Sequence, residues 1–492
     1  MPGLRRALAT VVRSGTMLGI VLIVFARAAW AHTWRVTPDG TGDAPTIQAA
    51  IDSAQAGDVV LLAAGTYAWT AQGAPAGSML RLSPGVSLRG EAGAAATILD
   101  AESRGRLLSC PAVGDQVVIE DLTFQNGEAP AADSDGGAID FGGASIPTLR
   151  RCVFRRNIAT RGGAVFCDRA TIEDCEFTGN LAGPGGPTNG RGGALWCGGA
   201  LLRGCIFRDN RARGFEAASG GAVRSISATI QDCQFESNGV DCPGSPHGGA
   251  IADSGSPSIT RCAFRGNHAD AHYFSANGGA ADVGTGTVTD CLFVGNTARC
   301  ATGPGQGGAL LGSAFRVERC TFIDNSALQT EPIGPGRGGA IFAPFVSTVR
   351  NCTLIANSGG SAGGVGGIEL DEGGTIENTI VAFTTAGAAC SGDLHWTCCD
   401  LFGNAGGDAL CGVDAGGNFS ADPLFCAADA AASGDVSIGA DSPCAPGHHP
   451  HGFDCGLVGA GAAACEPRSL EPRTWSAVKR IYRPGTAGLP GR

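Results

Sequence analysis

The sequence predicts an all-β chain folded as a parallel β-helix, a solenoid with three strands per coil. Three observations lead there. A unit of Gly-Gly-Ala, then Cys-x-Phe, then Asn recurs along the middle of the chain, mostly every 28 to 32 residues from cysteine to cysteine. Inside each unit the apolar positions fall in short alternating runs, and no run keeps helical spacing. The 80 glycines among 492 residues carry no Gly-X-Y period, which removes a collagen-like rod.

The chain opens on residues 1–31, which read as a secretory signal. Arg5, Arg6 and Arg13 precede an apolar run from Met17 to Phe25, and Ala29-Trp30-Ala31 offers the cleavage site. That run is too short to span a bilayer comfortably and no later segment qualifies, so no membrane span is expected after cleavage. Residues 32–97 supply the first strands. The repeats fill residues 98–384 as ten or eleven coils. Residues 385–466 form a closing segment whose eight cysteines, Cys390 to Cys465, are expected in disulfides of open connectivity. A basic tail, 467–492, follows.

The repeats align column by column. Cys152, Cys175, Cys205, Cys233, Cys262, Cys291, Cys320 and Cys352 are each followed five residues later by an asparagine, from Asn157 to Asn357. The residue after each Gly-Gly-Ala is apolar, from Ile139 to Ile341, and so is the third before each cysteine, from Leu149 to Val349. Parity breaks just before the cysteine, so the chain must bend there. Cysteine serves as a small buried hydrophobe beside phenylalanine. Asparagine suits a left-handed or side-chain-bonded bend, and stacked amides bond along a ladder. Gly-Gly permits a tight backbone with positive φ. The ladder thiols are therefore expected to be enclosed and inert, and they lack the paired spacing of zinc ligands. Cys167 and Cys197 share a column on adjacent coils, within disulfide reach. Before each cysteine the charge alternates from Asp232 to Arg319, which predicts ion pairs along an exposed corner.

Removing the signal takes away four arginines and no acids, so the net charge falls from −11 to −15. That balance argues against nucleic acid as a partner and against strong unaided binding of polyanionic glycans. The 21 cysteines fit an oxidising compartment.

Several stretches carry a family resemblance. V-T-P-D-G-T-G-D-A-P-T-I-Q-A-A-I (Val36 to Ile51), with Gly57-Asp58 and Gly65-Thr66-Tyr67, resembles the opening of pectin-esterase-like right-handed β-helix proteins. The Gly-Gly-Ala-Ile and Phe-x-x-Asn signatures resemble the repeats of polymorphic outer-membrane proteins and bacterial surface β-helix proteins. Asn418 to Cys426, Ser442-Pro443-Cys444 and Cys455 to Ala460 resemble closing segments of secreted bacterial β-helix proteins. The resemblance implies a right-handed parallel β-helix of the pectin-lyase-like kind, with a helical N-terminal cap at Ile47–Ser53 and a Cys-rich C-terminal segment. It also implies a bacterial protein, secreted or held at the cell surface. The working motifs of the enzymatic relatives are not matched: the pectin-esterase Gln-Asp-Thr-Leu and the polygalacturonase Gly-Asp-Asp and Gly-His-Gly segments have no counterpart.

Length variation concentrates between each asparagine and the next Gly-Gly, as in Leu181–Arg191 and His268–Asn277, and such insertions emerge on one side of a solenoid. Beside them runs an outward column two residues after each Gly-Gly-Ala, containing Asp140, Phe166, Trp196, Arg224 and Asp282. Either the glycine-rich insertions fold over these aromatics as a second small core, or Phe166 and Trp196 stack a sugar ring while Arg224 holds an acidic group. Tyr273 belongs to the one aromatic-rich insertion. The expected role is a surface or secreted binding or structural protein that recognises an extracellular glycan or another surface protein, without cofactor. The alternative is a polysaccharide lyase or glycoside hydrolase acting on a polyuronate, and only a lyase would bring calcium.

Overall fold

The structure is a computed structural model describing residues 31–111, 117–130, 134–143, 146–185, 188–427 and 430–465. The expected signal and basic tail lie outside the described residues, apart from Ala31. The fold follows from the repeat. Each unit contributes strands that pair in parallel with the same strands one turn away, so that three long sheets of 25, 13 and 8 strands run along the stack. The 13-stranded sheet opens at Gly65–Ala68 and closes at Asp400–Phe402.

The largest sheet takes two strand segments per turn, one after Gly-Gly-Ala and one before the cysteine. In two neighbouring turns these fuse into unbroken nine-residue strands, Val165–Glu173 and Leu195–Arg203. The eight-stranded sheet corrects the expectation that everything after the asparagine is loop. Seven of its strands begin at the residue after Asn, as in Ile158–Ala159 and Arg211–Arg213, and the eighth, Ile333–Gly334, pairs antiparallel at its end. They bury a column of small side chains: Ala159, Ala182, Ala212, Val240, Ala269, Ala298 and Ala327. Alanine at most of these positions gave no strand signal.

One bend falls just before the cysteine, where the broken parity placed it, and the other sits one residue before the asparagine rather than on it. Positive φ falls on the residue before each cysteine, such as Arg151, Asp174, Asp232 and Arg261, and again before each asparagine, such as Arg156, Asp209 and Ser237. The asparagines themselves are fully buried. Asn238 Oδ1 accepts from Asn210 N at 3.1 Å and Asn210 Nδ2 at 3.0 Å. Asn238 Nδ2 donates to the Phe207 carbonyl at 3.0 Å and to Asn267 Oδ1 at 3.0 Å. The pattern repeats from Asn157 to Asn357, so the buried amides are satisfied along the stack.

Phenylalanines stack alongside, with centroids 4.7–5.2 Å apart from Phe124 to Phe322. The cysteine ladder is buried, and burial pushes the Cys175, Cys291 and Cys320 thiols well up. On the exposed corner Arg261 reaches Asp232 and Arg319 reaches Asp290, each at 2.7 Å, as the alternating charges predicted. Gly-Gly answers two needs at once. Gly192 sits at φ 68°, and a Cβ on Gly193 would collide with the Gly221 carbonyl of the next turn.

At the N-terminal side the helix Ile47–Ser53 buries Ile47, Ala50 and Ile51. Thr46 caps it by accepting from Ala49 N at 3.2 Å. In the closing segment three disulfides form, Cys390–Cys411, Cys398–Cys455 and Cys426–Cys465. Two of the eight cysteines do not pair. Cys399 falls into the ladder column, where its Sγ accepts from Thr379 N at 3.5 Å, and Cys444 meets the Asp400 carboxylate at 3.3 Å.

Two predictions follow from this packing. Asn238→Leu leaves the Asn210 N–H and the Phe207 carbonyl without side-chain partners in a dry interior, at a cost of about 3 kcal/mol. The denaturant midpoint should drop clearly; an unchanged midpoint contradicts the ladder's role. Asp400 is buried, and burial pushes its carboxyl from the ordinary 3.8 up to about 8. A raised acid contributes stability in full below its unfolded value and loses it as pH rises through the folded one. Thermal melts should therefore show a stability contribution that fades between about pH 4 and about pH 8, and Asp400→Asn should remove that part of the dependence.

Candidate functional site

In-register pairing turns the outward column into one continuous line. Asp140 pairs with Phe166, Phe166 with Trp196, Trp196 with Arg224, Arg224 with Ala252 and Ala252 with Asp282. A second line runs parallel to it, formed by the residue before each Gly-Gly: Asp135, Arg161, Arg191, Ser219, His247 and Asn277. Sequence reading missed this second line. Its residue types vary from turn to turn, and only its fixed offset from Gly-Gly betrays it. Together the two lines wall a groove along the stack.

Trp196 is half-buried and Phe166 is 9% exposed. Their rings stack at 4.7 Å, and the Arg161 guanidinium lies over Phe166 at 4.8 Å and Trp196 at 5.8 Å. The aromatic pair is thus covered at Phe166, as the small-core reading expected, and Trp196 remains its accessible member. Asp140 is engaged by the nearly buried Arg106 at 3.4 Å, and its Oδ1 accepts from Gly142 N at 2.8 Å. It is a structural counter-ion more than a free carboxylate.

The chemistry gathers further along. Arg191, Ser219, Arg224, His247, Asp253 and Asp282 line a cavity of about 450 Å³. Arg224 Nη1 donates to the Ser225 and Ala252 carbonyls at 2.6 and 3.1 Å. Burial lowers its pKa; the Asp253 carboxylate offsets part of that, Arg191 lowers it again and Asp282 raises it. Among the described residues neither arginine has an ion-pair partner, unlike the arginines of the exposed corner. His247 Nδ1 lies 2.8 Å from Asp282 Oδ2, so the carboxylate orients the ring, and with the proton on Nδ1 it leaves Nε2 as the nitrogen able to accept one. Asp253 is spent on the fold. It accepts from Ser225 Oγ at 2.6 Å and from the backbone of Ser227, Ala228 and Gly255. A second cavity of about 510 Å³ shares Arg191 and adds Asp135, Arg161 and Asn189.

Tyr273 is 59% exposed, rests edge-on against His272 and does not line either cavity. Asp241, His268 and Asp270 bring their ligand atoms within 4.8 Å of one another. Arginines already engage all three: Arg211 contacts Asp241 and His268, and Arg299 holds Asp270 at 2.6 Å.

The stacked turns and their in-register columns define a repeat solenoid. Residues 109–264 match the right-handed β-helix region family model, and residues 319–344 match the repeat of the Chlamydia polymorphic membrane protein. The chain is a right-handed β-helix repeat protein. Among curated proteins none matches its sequence significantly. Among solved structures it is similar to the A-module of the mannuronan C-5 epimerase AlgE6 of Azotobacter vinelandii, at 14% identity and a TM-score of 0.25. The match covers 77% of this chain and 94% of that one, and at that score it carries no argument about activity. No helix among the described residues is long and apolar enough to cross a membrane.

Proposed function

We propose that this is an exported bacterial β-helix protein, secreted or at the cell surface, whose groove binds an acidic glycan. One observation carries the reading. Arg191 and Arg224, which form no ion pair among the described residues, face one cavity beside a half-buried tryptophan, and Asp253 and Asp282 line the same cavity. An anionic ligand group placed in this cavity would gain charge-assisted contacts with both guanidiniums. Trp196, one turn from Arg224, offers a ring face to a sugar, and the turn spacing of about 4.8 Å is on the scale of one sugar unit. The disulfides and the surface-protein repeat are compatible with an extracellular place. In the same reading the helix Ile47–Ser53 caps the N-terminal end and each coil is three-sided.

A second reading rests on His247 and Asp282. An oriented imidazole beside two arginines is what a lyase needs to remove a proton next to a carboxylate that the arginines neutralise.

Calorimetry with tetragalacturonate, and with cellotetraose as neutral control, tests both. The acidic tetramer should bind and the neutral one should not, and the affinity should fall with added salt. Arg224→Ala and Arg191→Ala should each weaken binding about tenfold or more. Trp196→Ala should weaken it with the melting temperature held; if that variant unfolds, the ring belongs to a buried core. No unsaturated product should accumulate, with or without calcium. Turnover that disappears in His247→Ala would replace the binding reading with the lyase one.

A further inference from the structure

Behind the platform formed by Phe166 and Trp196 lies a pair of thiols that the ladder does not explain. Cys167 and Cys197 are register partners on neighbouring turns, both fully buried, and their Sγ atoms are 2.8 Å apart. That is well inside the roughly 3.5–4 Å at which unbonded heavy atoms rest. The ladder cysteines also interact with the sulfurs of neighbouring turns, and they spread their contacts over backbone groups as well. Cys152, Cys233, Cys262 and Cys291 each donate to a backbone carbonyl two residues back at 3.1–3.4 Å, and their neighbours' sulfurs accept from backbone N–H groups. The nearest carbonyls to the Cys167 and Cys197 sulfurs are more distant, at 3.8 and 3.5 Å. In the same column the next turns carry Ser225 and Asp253, so the pair is confined to two turns. Those turns are also the ones whose strands run unbroken for nine residues, Val165–Glu173 and Leu195–Arg203.

We infer that Cys167 and Cys197 are an oxidation site, closed into a disulfide that staples these two turns together directly beneath the candidate glycan platform. One thiolate attacks the disulfide of an exchange partner, either oxidised glutathione or a dithiol–disulfide oxidoreductase, and releases one partner thiol. The second cysteine then displaces the other partner sulfur from the mixed disulfide. Two S–H bonds are lost and one S–S bond is gained, while the partner's disulfide becomes two thiols. Because both sulfurs are enclosed, the exchange takes place as the turns assemble, and the finished bond is sheltered from reductant. It fixes the register that sets Trp196 against Phe166. The bond does not depend on what the groove binds.

A non-reducing tryptic digest of the full chain, folded with a glutathione couple and alkylated in denaturant, tests this. Cleavage after Arg161, Arg169, Arg191 and Arg203 places Cys167 in residues 162–169 and Cys197 in residues 192–203, each as its peptide's sole cysteine. Mass spectrometry should find the two joined, with two fewer alkylated thiols than the 15 free in the structure. The Cys167→Ser, Cys197→Ser double variant should lose the joined peptide and melt about 5 °C lower. Recovery of both peptides singly alkylated from the folded wild-type chain overturns the inference, whatever the glycan result.

Discussion

Everything in this molecule depends on each turn landing in register on the one before it. A solenoid has no distant contacts to correct a slip, because each turn touches only its neighbours. Here the register is held by a buried asparagine in every repeat. Its side chain accepts from the preceding turn's asparagine backbone and amide, and donates to the next amide and to a phenylalanine carbonyl. A turn displaced by one residue would leave several of these groups dry and unpartnered, and each such group costs on the order of 1–3 kcal/mol. Phenylalanine stacking adds apolar burial but tolerates sliding; the amides do not.

That register also creates the site. Once turns stack in phase, residues at one offset from Gly-Gly form a line whatever their identity. The interior lines are nearly uniform because they must pack. The two outer lines are free to vary, and that freedom places Arg161, Arg191, Trp196, Arg224, His247 and Asp282 along one wall. Charge at the exposed corner is structural, whereas the groove mixes structural charges, such as Asp140, Asp253 and the Arg161–Asp135 pair, with arginines that form no ion pair among the described residues. Corner acids meet corner arginines one turn away, whereas Arg191 and Arg224, on neighbouring turns, form no ion pair among the described residues and Arg224 feels Asp253 and Asp282 only at a distance.

Much of the fold was legible because its signals are periodic. Gly-Gly-Ala, Cys-x-Phe and Asn mark the same physical events in turn after turn. The eight-stranded sheet was not legible, since its inward residue is usually alanine and its strands are as short as two residues. The bend was assigned to the asparagine, whereas the positive φ belongs to the residue before it, where arginine, serine, aspartate and glycine alternate without a common type. Cys399 looked like a disulfide partner because spacing alone cannot tell a ladder thiol from a bridging one. In the site, Trp196 and Arg224 were visible as a column. The covering of Phe166 by Arg161 and the His247–Asp282 pair were not, because both cross between two columns and only one had been traced.

The central claim is that the outward columns form one binding face. Hydrogen–deuterium exchange with and without tetragalacturonate tests it most directly. The account predicts added protection in peptides spanning residues 188–197, 217–225 and 247–254. Protection confined to the opposite sheet, around Gln234–Glu236 and Ala263–Arg265, or protection nowhere at all, would contradict it.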